Sequence, residues 1–462
     1  MFDAAIYRAR RDQLKKDVGS GVILLLGNDE VGMNYAANTY HFRQDSTFLY
    51  FFAVDLPGLA AVIDIDENTE VIYGDDLTVD DIVWTGPQPT LADNCKPAGI
   101  AASAPMATLE AHLAGVIAQG RRIHYLKPYR TEHTLKVTAL LGIKPTMVPV
   151  YRSEPLHKAV VAQRSIKSAE EIADIERAVA VSREMYLAAM AAAKPGKHEY
   201  EVVAEIIRVA KMRGCDLSFP IICSVHGETL HNHHHANLMQ AGDVMVLDSG
   251  VETPHKNASD ITRTIPVGGT FTAQQKLIYE IVLKTQMAAI GAIKPGVPYR
   301  DVHMLAAKTI ATGLKAAGLM TGDVDGAVAA GAHAMFFPHG LGHMMGMDVH
   351  DMENIGEQYV GYGDGIERST QFGTAYLRLA RKLQPGFVLT VEPGIYFIPQ
   401  LIDQWKAEKR HEAFINYAEV EKFRNARGYR IEDDVVVTAA GNKVLGPPIP
   451  KTVEDVQAAC RG

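Results

Sequence analysis

With 462 residues the chain exceeds what one ordinary hydrophobic core supports, so two domains are expected. A hydrophobic fraction of 47% with 22% charged residues excludes a disordered chain, and a net charge of −8 without long single-sign runs argues against nucleic acid or an anionic membrane as a partner. No run approaches the ~18 apolar residues of a membrane span. The opening MFDAAIYRARRDQLKKDV lacks the apolar stretch of a signal peptide. Cys95, Cys215, Cys223 and Cys460 show no CxxC spacing, which predicts free thiols in a soluble cytoplasmic protein.

In chain order, GVILLLG (21–27), AAVIDIDENTEVIYG (60–74) and RRIHYLKP (121–128) read as short strands, with a helix around TLEAHLAGVIAQG (108–120). That alternation predicts a small α/β domain over residues 1–158. From Arg164, RSIKSAEEIADIERAVAVSREMYLAAMAAAKPG is strongly helical and stops at Pro-Gly, opening a second domain over 159–462. This second part repeats itself. Lys-Pro-Gly occurs at 194–196 and again at 294–296, each time between two helical stretches. QAGDVMVLDSG (240–250) and QPGFVLTVEPG (384–394) share the pattern Gln-x-Gly-x-Val-x-x-x-acid-x-Gly. Two matches in the same order predict a duplicated, pseudo-symmetric architecture of helix–helix–strand halves.

Both repeated strands end on a carboxylate, Asp248 and Glu392, where an apolar residue would bury comfortably. The strands that follow them add Asp260, in ASDITRTIPV, and Glu432, in YRIEDDVVVT. Strand alternation puts Asp260, Thr262 and Thr264 on one face, and likewise Arg430, Glu432 and Asp434. Burying an unpaired carboxylate costs roughly several kcal/mol, and four together also repel, so protons or cations must compensate. A pair of divalent ions cancels four negative charges, and oxygen-rich coordination favours a hard or borderline ion such as Mn²⁺. FFPHGLGHMMGMDVHD adds His339, His343 and His350. Interleaved glycines argue against a helix there, and His350 joins the site only if the chain bends near Gly346. In LHNHHHAN, His231 and His233–His235 read either as a metal-binding tract or as a solvated loop, with the loop favoured for His233–His235.

Taken together, VLDSG, SDITRT, HGLGH, DVHD, TVEPGIYFI and RIEDDVVVT resemble the pita-bread metallopeptidases, in their proline-specific branch of prolidases (Xaa-Pro dipeptidases) and aminopeptidases P. HFRQDSTFLYFF (41–52) is similar to the creatinase-type amino-terminal domain of that family. The resemblance covers essentially the whole chain. It implies an α/β (α+β) protein in which a small amino-terminal domain precedes a pseudo-symmetric pita-bread catalytic domain. By position it implies dinuclear metal ligands Asp248, Asp260, His343, Glu392 and Glu432, with Asp260 and Glu432 bridging two ions, most often Mn²⁺, with Co²⁺ or Zn²⁺ as alternatives. His231 and His350 would line the active site, His339 would lie near the substrate proline, and Arg430 would orient carboxylates from behind the ligands. Arg378 matches a prolidase arginine that receives the terminal proline carboxylate, with an exposed helical arginine as the alternative. Trp84 resembles a tryptophan that reaches a neighbouring subunit of a homodimer, with an ordinary buried tryptophan as the alternative. Two segments depart from the family pattern: the hairpin from Asp248 to Asp260 is one residue longer, and the stretch from His350 to Arg378 is expanded.

The implied activity is hydrolysis of Xaa-Pro dipeptides by a hydroxide bridging two metal ions. Glu392 would move the proton, and His350 or His231 would stabilise the oxyanion. The alternatives are an Xaa-Pro aminopeptidase acting on longer peptides and, more remotely, a non-catalytic pita-bread binding module. Retention of all five ligands disfavours the module and also a metal-independent creatinase-like hydrolase. A methionine aminopeptidase would lack the long amino-terminal domain.

Overall fold

The computed structural model describes residues 2–363 and 365–461. It divides into two compact units, one formed by the chain up to Arg164 with Asn354–Tyr359, the other by Ser165–Glu353 with the chain from Val360 onward. Residue 158 lies within the helix Glu154–Ser165. Among the described residues no helix is long and apolar enough to cross a membrane.

The first unit is built on a five-stranded sheet in the order Ala102–Ala104, Thr69–Tyr73, Ala60–Asp64, Val22–Leu26, Ile123–His124. The inner pairs are antiparallel and the two outer pairs parallel. The apolar runs 21–27 and 60–74 thus form its centre. Strand Ala60–Asp64 is buried throughout, as expected where both faces are covered. One face packs Val22, Leu24, Val62 and Tyr73 against Leu109, Leu113 and Val116 of the helix Leu109–Ala118. The stretch 41–52 supplies the helix Ser46–Phe52, buried at every position and capped by Asp45, whose carboxylate accepts from Phe48 N at 2.9 Å.

The second unit carries the duplication as a repeated set of hydrogen bonds. Helices Ala169–Ala192 and Glu199–Met212 flank the first Lys-Pro-Gly turn; Ala273–Ala292 and Tyr299–Ala316 flank the second. Gly196 and Gly296 both adopt φ of 84°, a left-handed conformation that glycine tolerates without strain. Gly196 N donates to Met239 O at 2.9 Å, and Gly296 N to Leu383 O at 2.8 Å. The returning bonds, Met239 N to Lys197 O and Leu383 N to Val297 O, are both 2.9 Å. Each turn therefore grips the segment that leads into one of the two acid-bearing strands, and the repeats at Lys194/Lys294 and Gln240/Gln384 are contacts of one structural unit used twice.

Those strands are sheltered on both edges. Val244–Ser249 pairs antiparallel with Ile261–Pro266 on one side and Ile222–Ser224 on the other. Val388–Val391 pairs with Asp433–Val437, and its other edge binds residues 341–345 through Met345 N to Val388 O (3.0 Å), Thr390 N to His343 O (3.0 Å) and Glu392 N to Leu341 O (2.8 Å). The halves join where Glu432 N donates to Thr262 O at 3.0 Å. In Ile261–Pro266 every residue is buried. Thr262 and Thr264 bond to residues of the opposite half. Arg263 likewise reaches the opposite half, donating to Glu432 O (2.6 Å), Pro450 O (2.9 Å) and the Asp433 carboxylate (2.7 Å), so its buried charge is fully engaged.

The close edge pairing explains Gly342. A Cβ there would stand 2.1 Å from Thr390 O. Substituting Gly342→Ala must push residues 341–345 off the neighbouring strand, at a cost of roughly 1–3 kcal/mol or more. Scanning calorimetry should show a lowered unfolding midpoint for this variant; an unchanged midpoint would mean that the strand pair opens freely.

Candidate metal centre and active site

Asp248 stands opposite both Thr262 and Ile222 in the first half. Asp260 immediately precedes the strand Ile261–Pro266, Glu392 follows Val388–Val391, and Glu432 lies at the junction between the halves. His343 reaches the same point from the edge segment 341–345, its Nε2 lying 3.4 Å from Asp260 Oδ2 and 3.7 Å from Glu392 Oε1. Single donor atoms of Asp260, His343 and Glu432 all lie within 4.8 Å of one another, and all three residues are buried. Asp248 and Glu392 line the same cavity, whose volume is about 610 Å³.

The bonding partners orient these groups. His343 Nδ1 lies 3.1 Å from Met344 O. A carbonyl can only accept, so Nδ1 carries the proton and the Nε2 lone pair faces the carboxylates. Arg430 donates to Asp248 Oδ2 (2.7 Å), Thr262 Oγ1 (3.2 Å) and Tyr396 Oη (2.8 Å). The Thr262 hydroxyl donates to Glu432 Oε2 at 2.7 Å, and Asp260 N donates to Asp434 Oδ2 at 3.0 Å. His339 Nδ1 donates to Gly340 O (2.8 Å), so its Nε2 accepts from the Tyr396 hydroxyl (2.9 Å). Asp248, Arg430, Tyr396 and His339 thereby form one chain along the cavity wall.

Burial together with carboxylate neighbours pushes Glu392 up to about 8 and holds Asp260 and Glu432 well above the usual carboxylate range. Burial pulls His343 down to about 4 and His339 down to about 3, so both imidazoles are neutral at pH 7. Asp248 Oδ1 and Asp260 Oδ1 are buried, and among the described residues no donor reaches them. Orphaned carboxylate oxygens beside an unprotonated imidazole nitrogen, in a mixed oxygen and nitrogen donor set, fit divalent cations.

His350 joins the site because the chain turns back after Gly346: Asp351 N donates to Met344 O at 2.9 Å, and the His343 and His350 ring centroids lie 4.0 Å apart. His231, His339, Arg378 and Arg430 also line the cavity. So does His233, for which a solvated loop was expected, although it remains exposed at the rim. His235 packs its Nε2 on Ile221 O at 3.0 Å. Arg378 lies after the short turn Thr374–Tyr376, outside any helix, and pairs with Glu353. Trp84 is neither buried nor part of the cavity wall; it sits on the helix Val79–Thr85 in the first unit, 87% exposed.

Glu353 and Tyr396 went unnoticed in the sequence. Tyr396 follows Glu392 by four residues in an apolar strand and carries no polar signature of its own. Glu353 accepts from His350 Nδ1 with one carboxylate oxygen and from Arg378 Nη1 with the other. Burial opposes its ionisation, but the His350 hydrogen bond and the Arg378 charge prevail and hold it at about 2. Its one sequence signal is the spacing of three from His350.

The model of metallopeptidase family M24 matches residues 173–439, and that of the aminopeptidase P N-terminal domain matches residues 7–124. The chain is 34% identical to the Xaa-Pro dipeptidase of Homo sapiens, over 98% of this chain and 91% of the relative. It is 32% identical to a probable Xaa-Pro aminopeptidase PEPP of Uncinocarpus reesii, over 95% of this chain and 90% of that one. The structure of Pseudomonas aeruginosa aminopeptidase PepP superposes with a TM-score of 0.82 at 28% identity, covering 100% of this chain and 98% of that chain. Zinc-substituted Escherichia coli aminopeptidase P in complex with product gives 0.81 at 27%, with the same coverage.

The clustered acids set a sign for pH dependence. Without cations, the folded protein keeps protons on Asp260, Glu392 and Glu432 that the unfolded chain releases above the ordinary carboxylate range. Stability therefore falls as pH rises towards about 8. His343 and His339, depressed to about 4 and about 3, act in the opposite direction through the ordinary histidine range, an opposing slope that fades about one pH unit above its centre of about 6.5. Added Mn²⁺ should raise the melting temperature more at pH 8 than at pH 6.5 and release protons on binding. Titration calorimetry in two buffers of different ionisation heat checks this; identical apparent enthalpies would refute it.

Proposed function

The chain belongs to metallopeptidase family M24, and from that premise we propose that it hydrolyses the Xaa-Pro peptide bond. The observation that carries the reading is the convergence of Asp248, Asp260, His343, Glu392 and Glu432 on one cavity, with buried carboxylate oxygens that no donor among the described residues satisfies. These five residues would hold two divalent cations. Mn²⁺ suits so oxygen-rich a set, with Co²⁺ or Zn²⁺ as alternatives. When bound, the cations supply a lowered water pKa and electrophilic assistance to a carbonyl.

The chain's own residues do the rest. An Xaa-Pro bond has no N–H for an enzyme to grip, so recognition falls to the two ends of the substrate and to the proline ring. The acidic cluster attracts the free α-amine and confines attack to the first bond. Glu392, on the cavity wall beside His343, takes a proton from water and delivers it to the leaving proline nitrogen. His350 donates its Nδ1 proton to Glu353, which leaves Nε2 of the neutral ring as an acceptor. His231, on the same wall, is therefore the better donor to the tetrahedral oxyanion. His339 and Ile398 flank the proline side, and Arg378 offers a guanidinium to a terminal carboxylate. Arg430 keeps Asp248 oriented from behind.

A dipeptidase is the first reading, supported by Arg378 and by Xaa-Pro dipeptidases at 32–34% identity. The second, an aminopeptidase on longer peptides, is supported by the aminopeptidase P structures. A homodimer is supported by the exposed apolar surface of Val79, Val83 and Trp84, at 76%, 74% and 87%. A reducing, cytoplasmic setting is supported by four unpaired buried cysteines.

Chelation should abolish hydrolysis of Ala-Pro and Mn²⁺ should restore it; activity that survives complete metal removal rejects the mechanism. Arg378→Ala should raise KM for Ala-Pro at least about tenfold, on the scale of a lost charge-assisted pair, with a smaller effect on Ala-Pro-Ala. Equal effects on the two peptides would remove Arg378 from carboxylate recognition.

A further inference from the structure

Glu353 is a carboxylate already resting on the arginine that a substrate carboxylate needs. It accepts from Arg378 Nη1 with one oxygen and from His350 Nδ1 with the other. Its position is constructed by the chain around it. Two residues earlier, Asp351 is pinned by Lys167 in an ion pair of 2.7 Å whose side chains are 1% and 2% exposed. Met352, fully buried, then takes φ of 61°, the left-handed region that a bulky residue enters only when its surroundings impose it. That turn returns Glu353 towards His350 and Arg378. Both members of the Glu353–Arg378 pair remain about one-third exposed, and Arg378 itself lines the cavity, where a ligand can reach its guanidinium.

A guanidinium carries one positive charge. An incoming C-terminal carboxylate must share Arg378 with Glu353, and two carboxylates around one arginine repel each other. A substrate whose proline continues into an amide or a further residue does not meet that repulsion. Resting on the Xaa-Pro reading above, we propose that Glu353 is a specificity-determining residue: a resident carboxylate that competes with the substrate's own terminal carboxylate for Arg378. It tempers the dipeptide preference that Arg378 alone would confer and widens the enzyme's range towards extended substrates.

The test compares Ala-Pro with Ala-Pro-amide, which differ only at the carboxylate, in the Mn²⁺-loaded wild type and in Glu353→Gln and Glu353→Ala. Two variants are used so that a folding defect in one does not decide the outcome. The ratio of kcat/KM for Ala-Pro to that for Ala-Pro-amide should rise at least tenfold in both variants, through a lower KM for Ala-Pro. The rise should vanish when Arg378→Ala is added. Any disturbance of His350 affects both substrates and cancels in the ratio. A ratio that stays the same overturns the proposal, and a ratio that falls shows instead that Glu353 holds Arg378 in place for the substrate. Wild-type enzyme inactive on both compounds would overturn the Xaa-Pro reading and this inference together, a result distinct from an active enzyme whose ratio does not move.

Discussion

Negative charge held inside a folded chain is the condition on which the second unit depends. Asp248, Asp260, Glu432 and Asp434 are all buried, and Glu392 borders them. Arg430 neutralises Asp248, Thr262 donates to Glu432, and a backbone amide serves Asp434, but these contacts leave oxygens of Asp248, Asp260 and Asp434 without donors. An apolar core in the same place would be the more stable arrangement. The protein keeps the acids, and the site is therefore poised to take up cations.

Duplication is what makes such a cluster geometrically feasible. One strand end can present an acid at a defined point, but opposing acids require two strand ends brought to a common junction. Here each half supplies a helix pair, a Lys-Pro-Gly turn gripping the following segment, and an acid-bearing strand hydrogen-bonded along both edges. The junction at Thr262 and Glu432 then fixes the halves together through a backbone hydrogen bond and the buried side chains of Thr262, Arg263 and Thr264. Rigid strands hold ligand geometry better than loops do. The histidines, which come from less regular chain, are fixed instead by partner carbonyls, hydroxyls and the Glu353 carboxylate.

Much of this was legible before any coordinates. The paired Gln-x-Gly motifs and the Lys-Pro-Gly repeat are close in sequence to the contacts they make, so a linear pattern records them. Strand alternation placed Thr262 and Thr264 on a shared face, and both hydroxyls bond across the junction, as does the guanidinium of the intervening Arg263. The condition that His350 needs a bend near Gly346 was likewise readable, because a strand's two-residue period forbids a straight path. Glu353 and Tyr396 were not legible as partners of the site residues. Each sits in a segment whose local composition is ordinary, and its partner lies on a different stretch of chain or depends on one left-handed residue, Met352.

The sequence by itself picked out the acids and histidines that the fold gathers around one cavity, and the strands that present the acids, because local periodicity and repetition fix the face on which a side chain emerges. Only the tertiary structure decided how those groups are paired. It gave Arg378 a carboxylate partner, aimed the acceptor nitrogens of His339 and His350, and stood Trp84 in solvent on an exposed helix. Hydrogen-bond direction and burial arise from atoms far apart along the chain, and no short pattern of residues encodes them.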